Sequence, residues 1–181
     1  MCGPLYSKED EQMANLTRAD GTLTLAGNWA QEDIALLNPV VKSWALHDYG
    51  LSADGPFSVE CREVSFFGDG AWDFYGVLEN LPEWTEDWIE HPKPGTEQPL
   101  NRETYEALIR VMAEKELSIS VVFTEECEGM SQEEREEEHR GAFHGEVEVD
   151  GEERFYSLWY GDLDDEDDDD CDGEDEDEED E

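Results

Sequence analysis

The sequence predicts an α+β fold: a mostly antiparallel sheet of about five strands with two to three helices on one face, followed by a disordered polyacidic tail. Three observations carry that expectation. Tyr105, Leu108, Ile109 and Met112 recur at i, i+3, i+4 and i+7, the stripe of an amphipathic helix. Ile119, Val121 and Phe123 follow at period two, as in a half-buried strand. Asp150-Gly151 separates two further alternating runs and is a strong type I′ hairpin signal.

The elements follow in chain order. Residues 1–20 are polar and weakly patterned, and read as a loose arm. Residues 22–26 alternate as a brief strand. Asn38-Pro39 reads as a helix start, with Asn as N-cap and Pro in the first turn, and Gly50 as its stop. Phe57, Val59 and Cys61 alternate with polar residues, Gly68-Asp69-Gly70 reads as a turn, and Trp72 to Leu78 as a returning strand. Trp84 and Trp88, four apart between Leu81 and His91, suit a short helix. Pro92, Pro94 and Pro99 mark a loop, after which Asn101 can cap the Tyr105 helix. Ser131 and Glu134 form a capping box within the Glu-rich stretch 125–140. A two-residue turn at Asp150-Gly151 pairs Val149 with Glu152 and Gly145 with Tyr156. That register gathers Phe143, Val147, Val149, Tyr156 and Leu158 on one face, with Glu146, Glu148 and Glu153 on the other. The expected organisation is an arm (1–20), one α+β domain (21–160) and a tail (161–181).

Charge bounds the function. The chain carries 52 acids against 11 bases, a formal net charge of −41. Seventeen of the last twenty residues, Asp162 to Glu181, are acids, with no base among them. Without that tail, 35 acids still face 11 bases, a net of −24, so the body is acidic in its own right. Every aromatic residue lies in the body, which argues that it folds. Such a polyanion repels phosphate backbones and anionic membranes and draws in cationic surfaces. Direct nucleic-acid and membrane binding are therefore not expected. Bringing together two bodies of −24 would be costly, so a monomer is expected.

Chemical motifs are sparse. Cys2, Cys61, Cys127 and Cys171 form no CxxC pair and read as free thiols in a reducing compartment. Residues 1–20 lack the apolar core of a signal peptide, and no apolar run approaches the roughly 20 residues of a membrane span. A cytoplasmic protein is expected. Met1-Cys2-Gly3 is similar to the opening of N-terminal-nucleophile amidotransferases, but their glycine-rich and asparagine-containing supporting segments are missing. His139 and His144 with Cys127 lack the paired short spacings of a zinc site. His47-Asp48 has no nucleophile elbow to serve, and there is no P-loop or GxGxxG. No enzyme, metal or cofactor is expected.

What remains is an acidic binding protein that is expected to engage a basic, DNA-binding partner. Stretched at roughly 3.3 Å per residue the tail spans about 65 Å, a charge about every 4 Å, against roughly 3.4 Å for a DNA strand. Composition and size are similar to those of phage and plasmid antirestriction and anti-defence proteins, which implies a DNA-mimic inhibitor. The alternatives are a chaperone or shield of basic proteins acting through the tail, and a domain from a halophile. The expected contact surface comprises Glu125, Glu126, Glu133, Glu134, Glu136, Glu137 and Glu138, with Asp164, Asp165, Glu166, Asp167 and Asp168 of the tail. Trp84 and Trp88 are candidate aromatic contacts, or else members of the core.

Overall fold

The computed structural model describes residues 15–95, 100–150 and 153–163. Expectations for the arm before residue 15 and for the tail from residue 164 fall outside these residues. Among the described residues six strands form one antiparallel sheet: β1 (Leu16–Ala26), β2 (Gly50–Ala53), β3 (Glu63–Ala71), β4 (Ser118–Cys127), β5 (His139–Asp150) and β6 (Glu153–Asp162). Their spatial order is β2-β3-β1-β4-β5-β6. The helices are α1 (Gln31–Ser43), α2 (Tyr75–Glu90), α3 (Arg102–Lys115) and the single turn α4 (Gln132–Arg135). The fold is α+β, as the sequence predicts.

Strand alternation sets the core. Leu23 of β1 stands between Val64 of β3 and Val121 of β4, and Ile119 faces Phe143 of β5. These side chains are buried against Ile34 and Leu37 of α1, Leu78 and Leu81 of α2, and Leu108 and Ile109 of α3. Each such aliphatic side chain contributes about 1.5–3 kcal/mol on burial. A buried polar chain links two helices: the Trp44 indole N–H donates to Thr85 Oγ1 at 3.1 Å, and Thr85 donates to the Leu81 carbonyl at 2.7 Å. The other face of the sheet exposes Phe67 and Trp159.

Asn101 caps α3 as expected, its Oδ1 accepting the Thr104 N–H at 2.9 Å. Tyr105, Leu108, Ile109 and Met112 are all buried. Strand β4 also lies where expected and runs further at its C-terminal end, to Cys127.

Several expectations need correction. Strand β1 begins at Leu16, inside the stretch read as an arm, because Thr17 and Ala19 alternate inward against Arg18 and Asp20. Helix α1 starts at Gln31, not Asn38. Asp33 accepts the Ala30 N–H at 3.0 Å and so caps the earlier start. Pro39 lies inside the helix, and Asn38 instead bonds the Phe57 backbone through both amide atoms. Gly50 opens the unforeseen edge strand β2.

Residues 57–61 are a turn, with Ser58 Oγ accepting the Cys61 N–H at 2.9 Å. Gly68 and Gly70 lie within β3, not in a hairpin turn. A Cβ on Gly68 would come within 2.3 Å of the Phe74 ring, so this glycine admits α2 to the sheet. The segment read as a returning strand leads into α2. Asp73 Oδ1 accepts the Gly76 N–H at 2.7 Å, and Val77, Leu78, Leu81, Thr85 and Trp88 form its buried stripe.

In the final hairpin Val149 pairs with Arg154 and Gly145 with Leu158, two residues beyond the expected register. The parity survives, so Phe143 and Val147 still share a face with Leu158 and Tyr156.

Candidate functional site

The connection between β4 and β5 holds the first acidic block. Extending the inward phase of Ile119, Val121 and Phe123 puts Glu125 inside, and it is only 6 % exposed. Its Oε2 accepts the Phe74 N–H at 2.8 Å, at the start of α2, where a carboxylate also meets the positive end of the helix dipole. Its Oε1 lies 3.8 Å from His139 Nε2, and His139 Nδ1 lies 3.3 Å from the Tyr75 hydroxyl. Glu125 is therefore an internal anchor rather than part of an acidic surface.

Glu126, Glu133, Glu134, Glu136, Glu137 and Glu138 are exposed. The capping box is formed: Glu134 Oε2 accepts the Ser131 N–H at 2.7 Å, and Ser131 Oγ accepts the Glu134 N–H at 3.3 Å. Hydrogen bonding to its carboxyl from the Ser131 backbone, and then from the Ser131 side chain, holds Glu134 below the usual glutamate range. Arg135 pairs with Glu126 at 2.7 Å and Arg140 with Glu138 at 2.6 Å. The two bases of this stretch are thus already engaged, while Glu133, Glu136 and Glu137 have no cationic partner among the described residues.

The root of the tail reaches the same end of the sheet. Asp162 pairs with Gly141, and the Leu163 N–H donates to the Arg140 carbonyl at 3.1 Å. The root of the tail, Asp162 and Leu163, therefore lies beside the start of the strand that follows the Glu-rich connection. Asp164, Asp165, Glu166, Asp167 and Asp168 lie outside the described residues, beyond this root.

Helix α2 adds a row that the sequence reading missed. It contains no Lys or Arg, and Glu79, Glu83 and Asp87 are exposed at steps of four, about 6 Å of rise apart. Arg102 of α3 bridges Glu90 at 2.9 Å and Glu86 at 3.9 Å. Burial raises the Glu86 carboxyl; Arg102 opposes the rise, while Glu90, Glu83 and Glu106 add repulsion. The signal was present as acids at helical spacing, hidden by the misread start of α2.

Trp88 is 3 % exposed and belongs to the core. Trp84 is half-buried, packed against that core, with its ring 5.1 Å from His47. Neither offers a free aromatic face of the kind an exposed docking helix needs. The exposed aromatic residues are Phe67, Trp72, Phe155 and Trp159, with Tyr49 at the margin, among the described residues.

Among the described residues no set of three or more His, Cys, Asp and Glu side chains is placed to hold a metal ion. No described helix is long and apolar enough to cross a membrane. Cys61 and Cys127 are free thiols, exposed and buried respectively. No protein-family model, curated protein or solved structure matches the chain.

Proposed function

We propose that this chain is a non-enzymatic acidic protein whose acidic surface engages a basic, DNA-binding protein, presenting carboxylates where that partner receives phosphates. The supporting observation is the meeting of the strand that follows the β4–β5 connection with the root of the tail, through the Gly141–Asp162 pair and the bond from Leu163 to Arg140. Charges fixed on folded elements lose less conformational freedom on binding than charges on a free chain. The row on α2 extends this folded acidic surface.

The test is competition. Partners are captured on the immobilised full chain at low salt and challenged with duplex DNA. Mimicry requires that duplex DNA release the partner. It also requires that Glu133, Glu136 and Glu137 changed together to Gln lower the salt needed for elution. A partner that stays bound at any DNA concentration contradicts mimicry. Loss of all capture on truncation after Leu163, with the fold intact, would favour shielding by the tail instead.

A further inference from the structure

A second surface has the opposite character. Helix α1, the turn Trp44–Leu46 that follows it and the segment 52–56 surround a cleft of about 680 Å³. This falls within the roughly 300–1,000 Å³ of small-molecule sites. Ala35, Pro39 and Ala45 form one wall, and Ala53 and Pro56 the other. Lys42 is the one charged group among the described lining residues, none of which is acidic or aromatic. In a chain with 52 acids and 11 bases, the one charge on the lining is a cation, although exposed Asp54 stands between Ala53 and Gly55 in sequence.

The polar groups of the cleft are sorted. Asn38 is already used: Nδ2 donates to the Phe57 carbonyl at 3.0 Å, and Oδ1 accepts the Phe57 N–H at 2.8 Å. These bonds pin the chain just beyond Pro56 to α1, which sets the width of the cleft. Lys42 forms no hydrogen bond or ion pair among the described residues, so its ammonium is available to a ligand.

We propose that this cleft binds a small aliphatic carboxylate, its chain against the alanine and proline walls and its head group at Lys42 Nζ. One cation selects one negative charge. The absence of rings favours an aliphatic body over one that would stack. A multiply charged anion such as phosphate would face the −41 field with a single ammonium to offset it. A monocarboxylate instead combines apolar contact with one charge-assisted hydrogen bond. The proposal is independent of the acidic surface.

The experiment titrates hexanoate into the nitrogen-15-labelled full chain and follows amide shifts. Hexanol, hexylammonium and inorganic phosphate are run alongside. Hexanoate is expected to shift the Lys42, Ala53 and Gly55 amides saturably. Hexanol should bind there about tenfold more weakly, the loss of one charge-assisted bond. Phosphate and hexylammonium should leave these amides unmoved. Lys42→Glu should weaken hexanoate by about tenfold or more while sparing hexanol. Ala45→Phe, at an exposed lining position, should block both. Absence of saturable shifts at these amides, equal binding of hexanoate and hexanol, or undiminished hexanoate binding by Lys42→Glu overturns the proposal.

Discussion

The backbone N–H of Leu163 donates to the carbonyl of Arg140 at 3.1 Å, tying the root of the acidic tail to the strand that follows the Glu-rich connection. This bond continues the β5–β6 ladder past the Asp162–Gly141 pair. The tail is therefore attached to the sheet at its base.

Truncation should respect that bond. Ending the chain after Tyr160 removes the Gly161–Ala142 and Asp162–Gly141 pairs along with the Leu163 bond. A loss of about 1–3 kcal/mol is expected in urea unfolding, at roughly 1 kcal/mol per net hydrogen bond. Ending it after Leu163 should preserve stability, or raise it at low salt by removing like charges. Equal stability of the two truncations would show that the Leu163 contact adds nothing.

Glu125 supports α2 from across the sheet. Glu125→Ala leaves the buried Phe74 N–H without its acceptor and should cost about 1.5–3 kcal/mol, the range for hydrogen bonds to charged groups. Glu137→Ala on the exposed connection should stay within about 0.5 kcal/mol. Urea midpoints of the two variants make the comparison, and similar losses would remove Glu125 from the anchoring role.

Asp33 gives the acid limb a defined contributor. Burial works to raise its carboxyl, but bonds from Lys115 and the Ala30 N–H, with the charge of Lys115, bring it below the ordinary 3.8. A depressed folded-state pKa means that the contribution is full above the unfolded value and is lost as pH falls through the folded one. Asp33→Asn should therefore cost about 1 kcal/mol near neutrality, and less under acid, where the two proteins converge. Parallel stability curves through acid would contradict this assignment.

Arg102 holds down repulsion between α2 and α3. Arg102→Ala leaves Glu86 and Glu90 without their shared cation, while Glu83 and Glu106 still repel Glu86. Melting temperature should fall more at low salt than at high salt, because added ions screen the exposed charges. A salt-independent loss would point to packing of the arginine stem instead.

Much of the fold could be read where local signals agree with tertiary packing. Asn101 and the Tyr105–Met112 stripe place α3, and period two places β4. The hairpin faces survive a register error because a two-residue slip preserves parity. Helix α2 was hard to delimit because one of its first amides is met by Glu125, 51 residues away. Gly68 resembled turn punctuation, yet it serves contact with Phe74, which only the assembled fold brings close. The same holds for the acidic site. Glu133 to Glu138 stand out in sequence as a block, but the meeting of the strand that follows them with Asp162 depends on strand pairing. Glu125 differs from its exposed neighbours only by strand phase.

The most direct test of the central claim is duplex-DNA displacement of a captured partner from the chain truncated after Leu163. The account expects the truncated protein to retain the partner at low salt, duplex DNA to release it, and the Gln triple variant at Glu133, Glu136 and Glu137 to elute at lower salt. A folded truncation that captures nothing, or a partner that duplex DNA does not displace, would contradict it.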